Sequence, residues 1–354
     1  MLVLGIETTC DETAMSIVES GHKILSNIIE SQSDIHAIYG GVFPEIASRH
    51  HVDKLIPTLE LALKEANKSL KDIDLISVAF GPGLMGSLMA GVQFAKSLSF
   101  ATNIPTVQIN HVEAHLYAAM MGIEDKIEFP VLGVIISGGH THLVKMNSYT
   151  QFEILGCTQD DAIGEAFDKV GALLDLPYPA GPHIEKLAKE GNPNFFPFKP
   201  GQIKTSPLDF SYSGLKTQVL YAVKGTSQKE APKKLEENDK KHVAASFQKT
   251  AFSDLISKVL KAAQTFGLKQ IFLGGGVSNN CYLRQELTKL APPTLKIYFP
   301  HPKLTLDNGA MIAGLGYQKF ISLGPDTNHA IKPVSRPKFS NFPGHITAGS
   351  SLSN

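Results

Sequence analysis

The fold is decided by a short hydrophobic string that occurs twice, as VLGI at residues 3–6 and as VLGV at residues 131–134. Each copy has the pattern of a buried strand, and each leads through a turn of small or polar residues into a second strand. Counted from this leading strand, both halves have the same order of three strands, a helix, a strand and a helix. We therefore predict a duplicated, two-lobed α/β fold in which the turn after each leading strand faces a cleft between the lobes.

The same periodicity places the individual elements. In the first half, the predicted strands are 2–7, 14–19, 23–29, 74–80 and 104–109, and the predicted helices are 44–67, one from residue 84 and one from residue 111. In the second half, the predicted strands are 131–137, 140–146, 152–157 and 270–273, and the predicted helices are 160–174, 242–266 and 280–290. The predicted domains are residues 1–129, residues 130–333 and a polar, flexible tail at 334–354.

The composition sets the class of protein. The chain has 354 residues, 43% of them hydrophobic and 19% charged, which fits about two globular domains and excludes a disordered chain or an extended coiled coil. Lys and Arg number 33, as do Asp and Glu, so the formal net charge is zero. A protein without excess positive charge does not bind nucleic acid or anionic lipid through its overall field. Any such partner must meet a local patch.

The cysteines and the amino terminus predict the compartment. Cys10, Cys157 and Cys281 are odd in number and far apart, which does not fit a disulfide framework and favours a reducing environment. The sequence shows neither a secretory signal nor a membrane span, so we predict a cytoplasmic protein that does not associate with membranes.

Three glycine-containing turns could hold phosphate: FGPG at residues 80–83, SGGHT at 137–141 and LGGGVS at 273–278. Glycine lets backbone amides approach a ligand, and a helix amino terminus favours negative charge. Ordinary tight turns have the same composition, so this alternative stays open. Neither the Gly-x-Gly-x-x-Gly pattern nor the P-loop pattern is present, which disfavours a Rossmann dehydrogenase and a P-loop ATPase.

The string HVEAH at residues 111–115 should begin a helix and place two imidazoles on one face. His111 and His115 with a carboxylate such as Asp307 would suit zinc or iron. The alternatives are an ordinary histidine pair and a helix-capping role for Asp307. Glu113 stands at the wrong offset for a His-Glu-x-x-His peptidase, because it faces away from the side that the histidines share.

Two groups of carboxylates border the predicted turns. Asp11 and Glu12, together with Glu7, flank the first turn, where they could hold a cation or orient water; we take Asp11 and Glu12 as candidate catalytic residues. Asp161, Glu165 and Asp168 line one face of a predicted helix. Both groups could equally be solvated acidic surfaces. The lysine-rich segment 224–241 has the composition of a solvated loop.

Taken together, the motifs resemble the universal family of tRNA adenosine threonylcarbamoyltransferases, once described as O-sialoglycoprotein endopeptidases. The resemblance spans residues 3–337. Besides the HVEAH and SGGHT strings, it rests on LGIETTCDET (4–13), YGGV (39–42), PEIASR (44–49), GPGL (81–84), GEAFDK (164–169), FSYSGLKT (210–217), GGVS (275–278) and DNGAM (307–311).

The resemblance implies the fold of actin, sugar kinases and heat-shock ATPases, and it implies the site residues. One divalent metal, with iron favoured over zinc, would be held by His111, His115 and Asp307. An ATP- or AMP-type ligand, as part of threonylcarbamoyl-AMP, would be bound by eight further positions: Ile135, Ile136, Ser137, Gly138, Gly139, Asp168, Gly181 and Asn280. Ala180, Asn279 and Cys281 depart from the family pattern next to this second group.

The implied reaction transfers threonylcarbamoyl from threonylcarbamoyl-AMP to the exocyclic amine of the adenosine 3′ of the anticodon, in tRNAs that read codons starting with A. The implied partners are tRNA, an inactive paralogue of the same fold, a small P-loop ATPase and the synthase that supplies the adenylate. The alternatives are an actin-like ATPase or small-molecule kinase, which would not need the histidine pair, a peptidase, and a non-catalytic scaffold.

Overall fold

The computed structural model describes residues 1–39, 41–225, 236–326 and 331–337. The middle of the lysine-rich segment and nearly all of the tail therefore lie outside the described residues. Contacts group the chain into two compact units. The first contains residues 1–129, 146–153 and the described part of 300–347, and the second contains residues 130–145 and 154–299. The predicted domain boundaries stay predictions.

The first sheet is built from the amino-terminal strands in the order β3-β2-β1-β4-β5. The strands β1 to β3 pair antiparallel, and β1, β4 and β5 run parallel. Their bounds are β1 Leu2–Glu7, β2 Glu12–Glu19, β3 Lys23–Ser31, β4 Leu75–Gly81 and β5 Thr106–Asn110. Alternate residues of β1 point to opposite faces, so Leu4 and Ile6 join the core under two helices while Gly5 meets a third helix on the other face.

Helices cover both faces of the first sheet. The helices that belong to this unit are α1 Ser33–Ala37, α2 Pro44–Glu65, α3 Met85–Thr102, α4 His111–Ala118 and α10 Gly309–Leu323. The helices α2 and α3 pack side by side over Leu4 and Ile6, and α10 packs on the Gly5 face and against α4. This arrangement brings the start of α10 close to the start of α4.

The second sheet has the order β10-β9-β6-β7-β8, which is the strand order of the first sheet when corresponding strands are matched. Its strands are β6 Val131–Ile136, β7 Thr141–Ser148, β8 Gln151–Cys157, β9 Gln270–Gly274 and β10 Lys296–Tyr298. Its helices are α5 Ile163–Leu173, α6 Gly181–Ala188, α7 Ser213–Lys224, α8 Glu237–Thr265 and α9 Cys281–Leu290. The predicted duplication of an α/β plan is confirmed.

Four elements were not predicted from the sequence, namely β10, α1, α6 and α7; for α10, a helix start at Asp307 was predicted but the extent of the helix was not. The helix α10 contains Gly309, Gly314 and Gly316, which lower its intrinsic helix propensity. These glycines let the helix lie directly on the sheet: a side chain at Gly309 would collide with the backbone of β2, and one at Gly316 would collide with Ser77. Tertiary packing therefore overrides the local preference.

Within the ranges described above, no helix combines the length and the hydrophobicity needed to cross a bilayer.

Candidate active site

The paired histidines lie at the start of α4, where a cap fixes the first turn. The side chain of Asn110 accepts hydrogen bonds from the backbone amides of Val112 and Glu113, at 2.9 and 3.4 Å. The helix therefore begins at His111, as predicted, and every residue of α4 is buried. The rings of His111 and His115 are neighbours, with centroids 4.6 Å apart.

Asp307 completes the predicted set of three. One of its carboxylate oxygens, Oδ1, lies 3.4 Å from Nε2 of His111 and 3.2 Å from Nε2 of His115. The possible ligand atoms of the three residues all lie within 4.8 Å of one another. The three residues belong to the same compact unit. Two imidazoles and one carboxylate that converge in this way fit a divalent zinc or iron ion.

The alternative role of Asp307 as a helix cap is wrong. The cap of α10 is the next residue, Asn308, whose side chain accepts the backbone amide of Met311 at 2.9 Å. Its side-chain nitrogen also donates to the carbonyl of Leu306 at 2.8 Å. The Asp307 carboxylate is therefore not needed to start the helix and points toward the histidines.

Glu7, at the end of β1, orients the first histidine. Nδ1 of His111 donates to Oε2 of Glu7 at 2.8 Å, which leaves Nε2 as the nitrogen that faces Asp307. Thr9 supports both groups: its amide donates to Oε1 of Glu7 at 2.6 Å, and its hydroxyl lies 3.3 Å from Nδ1 of His111. This carboxylate–histidine arrangement is typical of metal sites.

The electrostatics of the site favour a cation. Burial alone would lower the pKa of His111, but the negative charges of Asp307 and Glu7 outweigh it and raise the pKa to about 9. Burial, with a further contribution from the charges of Asp307 and Asp11, raises the pKa of Glu12 to about 10. The negative charges of these carboxylates are therefore not balanced by enough positive charge nearby. A bound divalent ion would supply that positive charge.

Glu113 does not join this cluster. It is buried on α4, and its charge acts on Lys319 of α10. Nζ of Lys319 donates to the carbonyl of Gln108 at 2.9 Å and to Asp326 at 3.1 Å. The offset argument against a His-Glu-x-x-His peptidase therefore agrees with the position of the side chain.

The turn after β6 is lined by backbone and not by acidic side chains. Ile135 and Ile136 end the strand, and the amide of Ser137 donates to the carbonyl of His140 at 2.9 Å. A side chain added at Gly138 or Gly139 would meet nothing within 4 Å, so the outer side of the turn is open. An open turn of this kind can present amides to a phosphate.

Two further glycines hold this turn from the protein side. A side chain at Gly164, in the first turn of α5, would lie 2.6 Å from the carbonyl oxygen of Ser137. Gly275 has a φ of 92° and contacts the carbonyl of Ile136. The start of α5 and the turn after β9 therefore pack tightly against the 136–138 backbone.

The remaining predicted nucleotide contacts are tied to helix starts. Oδ1 of Asp168 accepts the amide of Ala180 at 2.8 Å and so fixes the chain just before Gly181. Asn280 is nine-tenths buried and caps α9 by accepting the amide of Leu283 at 3.0 Å. Its side chain also donates to Gln248 at 3.1 Å. Asp168 and Gly181 are thus neighbours, and Asn280 has a structural role of its own; binding of a nucleotide by these residues stays a prediction.

Asp161 lies two residues before α5, so the prediction that Asp161, Glu165 and Asp168 line one helical face is wrong for Asp161, and lysines pair with both Asp161 and Glu165. Asp161 accepts from Lys169 at 2.7 Å and from Lys216 at 2.6 Å. Glu165 pairs with Lys169 at 2.8 Å. Asp161 and Glu165 therefore form an ion-paired surface, which was the alternative to ligand binding, whereas Asp168 accepts a hydrogen bond from the backbone amide of Ala180.

Sequence reasoning missed Thr9 and a further buried histidine, His51, which contacts the same loop. Nothing in the spacing of the sequence reveals them, because Thr9 meets His111 over 102 positions and His51 meets Cys10 over 41. Hydroxyl and histidine side chains are common in strand ends and helices, so only the folded chain brings these pairs together.

Comparison with known proteins identifies the family. A family model described as TsaD, tRNA N6-adenosine threonylcarbamoyltransferase, matches residues 23–314. A relative with that name from Protochlamydia amoebophila (strain UWE25) is 51% identical over 336 residues, which cover 95% of this chain and 98% of the relative. Another, from Chlamydia trachomatis serovar A, is 50% identical over 322 residues, covering 90% and 93%.

Solved structures share the fold at low sequence identity. HypF from T. kodakarensis has a TM-score of 0.61 at 15% identity, covering 91% of this chain and 47% of HypF. Component A of the (R)-2-hydroxyglutaryl-CoA dehydratase from Acidaminococcus fermentans has a TM-score of 0.51 at 14% identity, covering 90% and 98%. These likenesses support the predicted actin-like two-lobed α/β class and carry nothing about the reaction.

Proposed function

The chain belongs to the tRNA N6-adenosine threonylcarbamoyltransferase family, and from this premise we propose how its residues carry out the transfer. The protein is an acyltransferase that acts on tRNA. It moves threonylcarbamoyl from threonylcarbamoyl-AMP to the exocyclic amine of the adenosine 3′ of the anticodon in tRNAs that read codons starting with A. The alternative of an ATPase or kinase without tRNA modification is not favoured by these relatives.

The observation that carries the mechanism is the convergence of His111, His115 and Asp307. Their donor atoms fit one divalent ion, and we assign it as iron in preference to zinc, following the family resemblance. When bound, such an ion supplies Lewis acidity and an anchor for oxygen atoms of the acyl adenylate. Glu7 holds His111 in the tautomer whose Nε2 is available for the ion.

The turn at Ser137, Gly138 and Gly139 would bind the phosphate. Its open amides would hold the phosphate through hydrogen bonds, without a lysine of the P-loop kind. Asp168, Gly181 and Asn280 would contact the rest of the adenylate. Positive potential from backbone amides would stabilise the charge that grows on the phosphate as AMP leaves.

The bond changes are those of an acyl transfer. The adenine N6 attacks the carbamoyl carbon, a C–N bond forms, and the bond from that carbon to the phosphate oxygen breaks with its electron pair going to AMP. The amine loses one proton, and we assign its acceptance to the carboxylate of Asp11 or, once a bound divalent ion has lowered the raised pKa of Glu12, to the carboxylate of Glu12, next to the histidine–aspartate cluster. AMP is a good leaving group and the adenine amine is a weak nucleophile, so positioning should provide most of the acceleration.

The helices α2 and α3 of the first unit expose apolar side chains that would suit a protein partner. Val52 and Ile56 on α2 and Met85 and Met89 on α3 are exposed, each pair four residues apart on its helix. Exposed apolar residues on two packed helices suit a protein partner. We assign this face to the inactive paralogue of the same fold, with a small P-loop ATPase and the adenylate synthase as further components in the cytoplasm.

Mass spectrometry of nucleosides tests the proposal. Unmodified tRNA is incubated with the protein, threonine, bicarbonate, ATP, the synthase and the two partner proteins, and the digest is analysed for threonylcarbamoyladenosine. The wild-type protein should form it and a His111→Ala variant should not. Absence of the modified nucleoside with wild-type protein and every partner present would contradict the proposed function.

A further inference from the structure

The 8–13 loop, which joins β1 to β2 and includes the first two residues of β2, is fastened to two helices at a single carbonyl group. Nε2 of His51, in α2, lies 3.0 Å from the carbonyl oxygen of Cys10. The hydroxyl of Ser87, in the first turn of α3, donates to the same oxygen at 3.2 Å. Because a carbonyl only accepts, Nε2 of His51 must carry a proton.

The other nitrogen of His51 holds the end of the same loop. Nδ1 lies 2.8 Å from the hydroxyl of Thr13 and, with the proton on Nε2, accepts from it. His51 is fully buried, and burial lowers its pKa, which keeps this tautomer neutral. One ring therefore spans the loop from Cys10 to Thr13.

Cys10, whose carbonyl is held in this way, directly follows Thr9, which contacts the proposed metal ligand His111. The carbonyl of Thr9 accepts the amide of Leu84, just before α3, at 2.8 Å. Thr9 in turn contacts both Glu7 and His111. Hydrogen bonds from α2 and α3 thus hold the backbone carbonyls of Thr9 and Cys10, and the amide and hydroxyl of Thr9 contact Glu7 and His111.

We infer that His51 and Ser87 are positioning residues of the transferase, which set the 8–13 loop, and with it Thr9, Asp11 and Glu12, against the His111, His115 and Asp307 cluster. This inference rests on the proposed function for its catalytic consequence. Neither residue reaches the cluster itself; each acts through the Cys10 carbonyl. The same two helices expose the apolar face assigned to the paralogue.

The test compares His51→Ala and Ser87→Ala with wild type and with a control in the same helix. The control is Thr58→Val, because Thr58 is fully buried in α2 and its hydroxyl donates to the carbonyl of Lys54 within that helix at 2.7 Å. His51→Gln serves as the conservative variant, since its amide can still donate to Cys10. Hydrogen exchange of amides 9–13, cobalt affinity, kcat and KM for tRNA are measured for each protein.

We expect exchange of the loop amides to become about tenfold faster in His51→Ala, with kcat reduced roughly tenfold and KM for tRNA within about twofold. Ser87→Ala should show the same pattern more weakly, and His51→Gln should restore most of kcat. Thr58→Val should leave loop exchange and kcat unchanged.

Two results would overturn the inference: wild-type exchange of the loop in both His51→Ala and Ser87→Ala, or an equal loss of kcat in Thr58→Val. The exchange measurement requires no turnover. If wild type formed no modified nucleoside, the proposed function would fail while exchange still decided whether His51 and Ser87 hold the loop.

Discussion

The turns after β1 and β6 occupy equivalent places in the two sheets and are built from opposite kinds of chemistry. The strand β1 ends in the acid Glu7, and after it comes a loop of hydroxyls and acids; both Glu7 and the loop contact a histidine of α4. After β6 come Ser137 and two glycines whose outer side is open. One strand order therefore serves two tasks, because the fold fixes where a turn lies and the turn residues fix what it can bind.

A second correspondence lies after the fifth strand of each sheet. The chain leaving β5 enters α4 at once and contributes His111 and His115. The chain leaving β10 continues through Asp307 into α10. Both helices pack in the first unit, so equivalent points of the two repeats contribute all three members of one proposed metal site.

The largest effect should come from removing the imidazoles. We expect the double variant His111→Ala, His115→Ala to lose bound metal and to lower kcat/KM at least about 1,000-fold, since it removes both nitrogen ligands and the Lewis acid they hold. Metal content by mass spectrometry and nucleoside analysis measure the two losses. His22→Ala, at an exposed turn, is the control. Full threonylcarbamoyl transfer by the metal-free double variant would show that the reaction does not require an ion at this site.

Glu7→Gln should have the next largest effect. It keeps an oxygen near Nδ1 of His111 and removes the charge, so metal affinity should fall about 10- to 100-fold. Competition with a chelator measures the affinity. Glu19→Gln, an exposed acid at the end of β2, should have no effect. Equal metal affinities of Glu7→Gln and the wild type would mean that the charge of Glu7 does not contribute to metal binding by His111.

A pair of glycine variants separates binding from packing in the second turn. Gly139→Val has room in the fold, so the melting temperature should stay near wild type while affinity for an AMP-type ligand falls roughly tenfold through collision with the ligand. Gly164→Val should instead destabilise the protein by about 1–3 kcal/mol, because its side chain would meet Ser137 and Gly138. Scanning calorimetry and ligand titration measure both. Unchanged ligand affinity in Gly139→Val would contradict the assignment of this turn to phosphate.

The smallest effect should come from Asp161, in the second unit. Burial would raise its pKa, but hydrogen bonds from Lys169 and Lys216 lower it below the ordinary value. A carboxyl with a lowered folded-state pKa stabilises the protein above its unfolded pKa of about 3.9 and loses that contribution as pH falls through the folded value.

Asp161→Asn should therefore lower the free energy of unfolding by about 1 kcal/mol at pH 7 and by less at pH 3. Urea unfolding at both pH values measures the difference, and Asp209→Asn, which retains the lysine pairs, is the control. An equal loss at both pH values would show that charge pairing does not hold α5 to α7.

The sequence predicted those features that depend on local pattern. The strands β1 and β6 follow from their apolar runs, and the common face of His111 and His115 follows from helical spacing. The start of α10 next to Asp307 was predicted, but its extent to Leu323 was not, because its glycines lower helix propensity and act only through contact with the first sheet. The links from Glu7 to His111, 104 positions apart, and from His51 to Cys10 were not predictable, because no spacing in a single chain reports which distant side chains meet.

The most direct test of the central claim is anomalous diffraction from crystals of the metal-loaded protein, measured on both sides of the iron and zinc edges. One strong peak is expected, about 2.0–2.2 Å from Nε2 of His111, Nε2 of His115 and a carboxylate oxygen of Asp307. A fully loaded, active protein whose metal peak lies away from these three side chains would contradict the account.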